Sequence, residues 1–505
     1  MNTFFRTSLL LVLLASSALA QTPAPKPAET KPKTIGVNDE PIVVKHEITL
    51  AGKPLKYTAT TGYLPIKDDK GEAEAHIFFI AYTRDDGGDR SKRPLTFSFN
   101  GGPGSASVWL HLGAIGPKRV AFPDGGEFPV PPFKLVENDS TWLDETDLVF
   151  IDPVGTGYSR AVKPELNRKF HGLQGDLDSV GEFIRLYISR NERWGSPLFV
   201  VGESYGTTRA AGLSDRLLRR GIAVNGIILI SSVLNFQTLD AAKGNDLPYI
   251  LFLPTFTATA WYHKKLAPEL QADRKATLLE AAKWAEGDYA TALMQGDRLS
   301  PERRAEVARQ LARYTGLDPV YVERSNLRID DNRFRKELLR DRGQTVGRLD
   351  SRFVGVDEVG VTDSPDADPS MSAIRPAYTS TFNQYIREEL GFATDTPYYI
   401  LGEGVGAWDW GPAARRGFPD TSENLRNALA NNPYLKVLVA SGYYDMATPY
   451  LATEYTLAHM GLTSSMRANF KVEEFESGHM MYIHGPSLAK LKGDVAAFLH
   501  ATLAK

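Results

Sequence analysis

Residues 197–206, PLFVVGESYG, constrain this chain more than any other stretch. Leu198 to Val201 form a short apolar, partly β-branched run of the kind that a strand covered on both faces requires. Helix-compatible sequence follows at once, from Thr207 to Arg220, and stops at Gly221. Gly202 and Gly206 allow a sharp strand-to-helix turn to close around Ser204, so that its hydroxyl stands clear of the sheet at a helix N-terminus. The competing reading is a glycine-containing loop with an incidental serine, and the rest of the chain has to decide between them.

Short apolar runs recur on either side of this turn, at 94–100, 147–152, 197–201 and 225–232, with two more at 436–441 and 470–475. Helical or loop sequence separates them, which predicts a mainly parallel α/β sheet with functional residues just past the carboxyl ends of its strands. Ahead of them, the alternating stretches 42–50, 56–63 and 75–83 read as antiparallel strands at one edge. Residues 236–381 read differently: amphipathic helical patterns at 273–293, 300–314 and 330–339 follow an irregular, aromatic-rich stretch at 249–263. They form a mostly helical cap inserted between a first core segment, 41–235, and a second, 382–505; an independent helical domain is the alternative. No internal repeat is apparent.

The N-terminus points to export. Arg6 precedes an uncharged, largely apolar run from Thr7 to Ala20 that ends in small residues, the pattern of a secretory signal peptide over 1–20. Residues 21–40 are rich in proline and lysine and read as a linker. The expected mature protein is exported, periplasmic or secreted, with no membrane span after cleavage. There is no cysteine in the 505 residues, which excludes disulfides, thiolate nucleophiles and cysteine-metal sites. A net charge of -3 leaves no basic footprint for nucleic acid.

A serine nucleophile needs an oriented base. After VLVA, Asp445 falls in a loop past a strand end, and after KVEEFE, His479 does the same. Ser204, Asp445 and His479 follow the chain order of an α/β-hydrolase triad, with room for a cap before the acid and one helix between acid and base. His479 would accept the Ser204 proton while Asp445 fixes its tautomer. His484 competes for the base, and Glu473, Glu474 and Glu476 compete for the acid. Asn100-Gly-Gly-Pro-Gly-Ser105, directly after a core strand, offers an oxyanion loop, with the amides of Gly102 and Tyr205 as donors. A phosphate loop is the other reading of such a turn, but no GK[ST] or GxGxxG follows. No metal or cofactor is called for.

Asn100-Gly-Gly-Pro-Gly, Asp152-Pro-Val-Gly-Thr-Gly-Tyr-Ser159, Gly202-Glu-Ser-Tyr-Gly206, the Ser441 to Asp445 loop and Gly478-His479 together resemble the ordered motifs of the serine carboxypeptidases. The resemblance runs from about residue 75 to the C-terminus, and fits an exported, cysteine-free member of bacterial type. It implies a capped α/β-hydrolase, Ser204, Asp445 and His479 as the triad, and removal of C-terminal residues from a peptide substrate. It also implies that Asn100, Gly101 and Glu203 bind the substrate's terminal carboxylate. Three positions depart from the family pattern: Ser98 replaces a tryptophan, Ala114 a second glutamate and Ser105 a cysteine. With Glu203 alone, the two-glutamate device for holding a carboxylate is incomplete, and Arg209 or Lys118 are candidate substitutes. The triad by itself suits an esterase or acyltransferase equally well, and a non-catalytic binding protein is the reading outside the enzyme class. Trp408 and Trp410 read as packing residues or as pocket lining. Oligomeric state is not legible.

Overall fold

The computed structural model describes residues 36, 37, 40–85, 88–412, 414, 415 and 417–504. The expected signal peptide, 1–20, and most of the expected linker, 21–40, lie outside them. Among the described residues, ten strands form one sheet. Nine of these set its frame: β1 (Ile42–Leu50), β2 (Lys53–Lys67), β3 (Ala73–Arg84), β4 (Leu95–Phe99), β5 (Asp147–Ile151), β6 (Leu198–Ser204), β7 (Gly226–Ser232), β8 (Lys436–Gly442) and β9 (Phe470–Phe475).

Their spatial order is β1-β2-β3-β5-β4-β6-β7-β8-β9. The first three are antiparallel, and β3 meets β5 antiparallel. From β5 onward every pairing is parallel. This is the mainly parallel sheet with an antiparallel edge that the apolar runs predict. All five residues of β4 and of β5 are buried, as strands covered on both faces must be.

Alternate side chains supply two cores. Phe199, Ile228 and Leu438 pack on one face with Leu491, Val495 and Phe498 of the closing helix Gly485–Leu503. Val200, Leu229 and Val439 pack on the other with Val180 and Ile184 of helix Leu173–Arg190 and with Ala210 and Leu213 of helix Tyr205–Arg219.

Between β7 and β8 the chain leaves the sheet and builds a helical insert. Helices Leu253–Tyr262, Arg274–Trp284, Pro301–Thr315 and Asp331–Glu337 enclose a core of their own, in which Phe256 stacks on Phe334 at 4.1 Å. The stretch 249–263 is helical, not irregular. Pro248 and Pro254 occupy first-turn positions, where no backbone donor is needed. Every residue from Leu253 to Ala260 is buried, so no amphipathic period marks the helix. The boundary at 381 also moves, because helix Pro369–Glu388 runs through it. Its buried residues Ile374, Ala377, Tyr378 and Phe382 belong to the core of the sheet, not to that of the insert.

Candidate active site

The carboxyl ends of β4, β6, β8 and β9 converge on one cavity of about 210 Å³. Ser204 ends β6 with φ 59° and ψ -132°, a conformation that costs energy in any residue with a β-carbon and exposes the side chain at the turn. The helix Tyr205–Arg219 begins at the very next residue. A β-carbon on Gly202 would stand 2.1 Å from the carbonyl oxygen of Gly206, so the turn closes only around glycine.

The loop after β4 lies against this elbow. A β-carbon on Gly101 would meet the Tyr205 nitrogen at 2.4 Å, and Gly102 has a φ of +101°. Arg209, buried beneath, ties the two together: its Nη1 donates to the Asn100 carbonyl at 2.7 Å and its Nε to Asp176 Oδ2 at 2.8 Å. Tyr205 OH donates to the same carboxylate oxygen at 2.9 Å. Gly101, Gly102, Glu203, Ser204, Tyr205 and His479 all line the cavity.

Asp445 and His479 are almost completely buried. His479 Nδ1 lies 2.8 Å from Asp445 Oδ2. Asp445 also accepts from the backbone of Ala447 and Thr448 at 2.7 and 2.9 Å and from Thr448 Oγ1 at 2.6 Å. Burial alone would lower the His479 pKa, but the charge and hydrogen bond of Asp445 outweigh it and raise the imidazole above its usual value. With Nδ1 turned to Asp445, Nε2 is the ring nitrogen left for the cavity.

Glu203 immediately precedes Ser204 and is 4% exposed, and Asn100 is 1% exposed. Burial pushes the Glu203 carboxyl up to about 7, against the opposing pull of His479, Tyr482 and Asn100. Asn100 Oδ1 accepts from the Leu110 amide at 3.1 Å, while Asn100 Nδ2 and Glu203 Oε2 have no hydrogen-bond partner within the protein.

The competing residues have other partners. His484 Nδ1 lies 2.7 Å from Ser487 Oγ at the start of the closing helix. Glu473 pairs with Lys490 at 2.6 Å, Glu474 with Tyr443 and Glu476 with Arg274. Neither substitute for the missing glutamate reaches the cavity: Arg209 is locked under the elbow, and Lys118 pairs with Glu389 at 3.6 Å. Ser98 and Ala114 are fully buried. Trp408 and Trp410 pack edge-on against Tyr205 at 5.5 and 5.7 Å. Among the described residues, no three acidic or histidine side chains are grouped to hold a metal ion.

One contributor has no mark in the sequence. Residues 348–351 strap the acid and base loops together. The Arg348 carbonyl accepts from the Met446 amide at 3.0 Å, the Leu349 carbonyl from the His479 amide at 2.6 Å and Asp350 Oδ2 from the Gly478 amide at 3.0 Å. No periodicity or glycine pattern singles this strap out.

A doubly wound sheet with a serine elbow, a helical insert after β7 and a buried acid-histidine pair is the architecture of an α/β-hydrolase. Over residues 50–274 the chain matches the model of the serine carboxypeptidase family, peptidase S10. Among curated proteins, it is 36% identical over 103 residues to the pheromone-processing carboxypeptidase KEX1 of Saccharomyces cerevisiae, covering 19% of this chain and 13% of that protein. It is 30% identical over 156 residues to serine carboxypeptidase-like 36 of Arabidopsis thaliana, covering 29% of this chain and 30% of the relative. The chain thus spans less than a third of the length of either. The crystal structure of KEX1ΔP, a prohormone-processing carboxypeptidase from Saccharomyces cerevisiae, superimposes with a TM-score of 0.53 at 15% identity, over 88% of this chain and 91% of that one. That likeness concerns the fold.

Proposed function

We propose that this protein is a serine-type carboxypeptidase that removes C-terminal residues from peptides through an acyl-enzyme. The observation that carries the reading is the buried Asp445–His479 pair, at 2.8 Å, opening on the cavity that holds the strained Ser204. Ser204 Oγ attacks the scissile carbonyl as His479 Nε2 takes its proton, and the charge that develops on the carbonyl oxygen is met by the amides of Gly102 and Tyr205. His479 returns the proton to the leaving amine, and water then releases the acyl group by the same route. Asn100, Gly101 and Glu203 hold the terminal carboxylate on the leaving-group side. The insert serves as a cap, since Phe236 and Leu239 at its start and Arg348 beyond its last helix line the cavity.

Export is part of the reading, and rests on the apolar run from Thr7 to Ala20. No helix among the described residues is long and apolar enough to cross a membrane. The departures at Ser98 and Ala114 favour a second reading, an esterase or acyltransferase on the same scaffold.

The test is a panel of N-blocked dipeptides with free or amidated C-termini, with esters of the same acyl groups alongside. The carboxypeptidase reading expects cleavage of the free acids ahead of the amides. Preference for the amidated peptides or for esters alone would transfer the assignment to the second reading. Ser204→Ala is expected to lower turnover by about 10⁴-fold or more on every substrate.

A further inference from the structure

Arg348 is a charged cavity residue that the reaction above does not use. It lines the cavity with Gly101, Glu203, Ser204 and His479, and is the only lysine or arginine among the described residues that do so. Its backbone is held on both sides: the amide donates to Asp368 Oδ1 at 3.0 Å, and the carbonyl accepts from Met446, the residue after Asp445. The side chain is 47% exposed, and its charge partner is Asp331, with Nε and Oδ2 3.7 Å apart. At that separation the pair is loose, and the terminal Nη donors of the guanidinium fork are not committed to it.

A fork of this kind, on a backbone held in place and lining the same cavity as Ser204, is suited to a planar anion. A carboxypeptidase must read a terminal carboxylate in this same cavity. Of the groups that the family resemblance assigns to that carboxylate, Asn100 is neutral and Glu203 acidic, both buried, while Ser98 and Ala114 add no charge. Once ionised, Glu203 repels the group it is meant to hold, and a cation lining the same cavity would offset part of that repulsion.

We propose that Arg348 binds the C-terminal carboxylate of the peptide substrate and sets the selection for free-acid peptides. This rests on the carboxypeptidase reading, but the test is built on binding so that the two stand or fall apart.

Ser204→Ala protein would be titrated calorimetrically with three N-blocked dipeptides. One has neutral side chains and a free C-terminus, the second is its C-terminal amide, and the third is an amide carrying a glutamate side chain. The titrations are repeated with Arg348→Gln and Arg348→Lys in the same background. The free acid is expected to bind about 10- to 100-fold tighter than its amide in the parent, the range of a charge-assisted hydrogen bond. That ratio should fall to near parity with Arg348→Gln and recover in part with Arg348→Lys. Equal weakening of acid and amide would overturn the proposal, as would a parent without acid preference. If Arg348→Gln weakened only the glutamate-bearing amide, the partner would be a side-chain carboxylate and the assignment to the terminal one would be wrong.

Matched melting curves separate these effects from misfolding. Should Arg348→Gln fail to fold, Arg348→Lys carries the comparison, because loss of the planar fork alone predicts weaker acid binding. Turnover by the unmodified enzyme is measured separately. An enzyme that binds free acids through Arg348 without cleaving them would sink the carboxypeptidase reading and leave this one standing.

Discussion

Glu203 is where the chemistry of a single side chain has most to decide. Burial lifts its carboxyl to about 7, so near neutrality it passes from a neutral hydrogen-bond donor to a charge that repels a substrate carboxylate. His479 moves the other way in function: its pKa is raised, and it works as a base only after losing its proton. For a free-acid peptide, kcat/KM should therefore rise as His479 deprotonates and fall as Glu203 ionises, giving a bell close to neutral pH. The two groups interact, so the apparent values belong to the pair. An ester or amide without the carboxylate should rise to a plateau. Glu203→Gln is expected to abolish the alkaline fall and to move the acid limb to lower pH, since a negative neighbour of His479 is gone. Identical profiles for the variant and the unmodified enzyme would remove Glu203 from carboxylate recognition. Ser204, Asp445 and His479 were legible as candidates because each falls in a short turn past a strand-like run, a local pattern. Arg348 was not, because an arginine in aperiodic sequence reads as a solvated surface residue, and only the fold brings it to the cavity.

At the level of elements, the site depends on how closely the loop after β4 lies on the elbow after β6. Phe99 pairs with Gly202 across those strands, and the loop continues in contact with the helix N-terminus. Gly101→Ala would place a β-carbon 2.4 Å from the Tyr205 nitrogen, against backbone that cannot swing aside. The loop must then lift, taking the Gly102 amide out of range of the developing oxyanion. Loss of about 10²- to 10³-fold in kcat is expected, with KM less affected, because that donor acts on the transition state. Near-normal kcat from a folded Gly101→Ala protein would contradict this packing. The central strands were readable because burial on both faces writes them as unbroken apolar runs. Helix Leu253–Tyr262 was not, since burial all round erases the period by which a helix is recognised in sequence.

On the scale of the whole molecule, the insert is part of the structure that holds Asp445. Met446, the residue after Asp445, is 1% exposed and packs in the core of the insert, while strap residues 348–351 bond to the acid and base loops. Asp445 is therefore held from the sheet on one side and from the insert on the other. A detachable lid would unfold before the sheet does; an insert joined in this way should unfold with it. Hydrogen exchange read by mass spectrometry across a urea series is expected to show helix Pro301–Thr315 and strand β6 losing protection at the same denaturant concentration, together with activity. Met446→Ala removes a buried side chain at the junction at a cost of about 2–5 kcal/mol, which should shift all three transitions to lower urea in parallel. If the helix lost protection well before β6 while turnover persisted, the insert would be an independent lid and the support of Asp445 would have to come from the sheet alone.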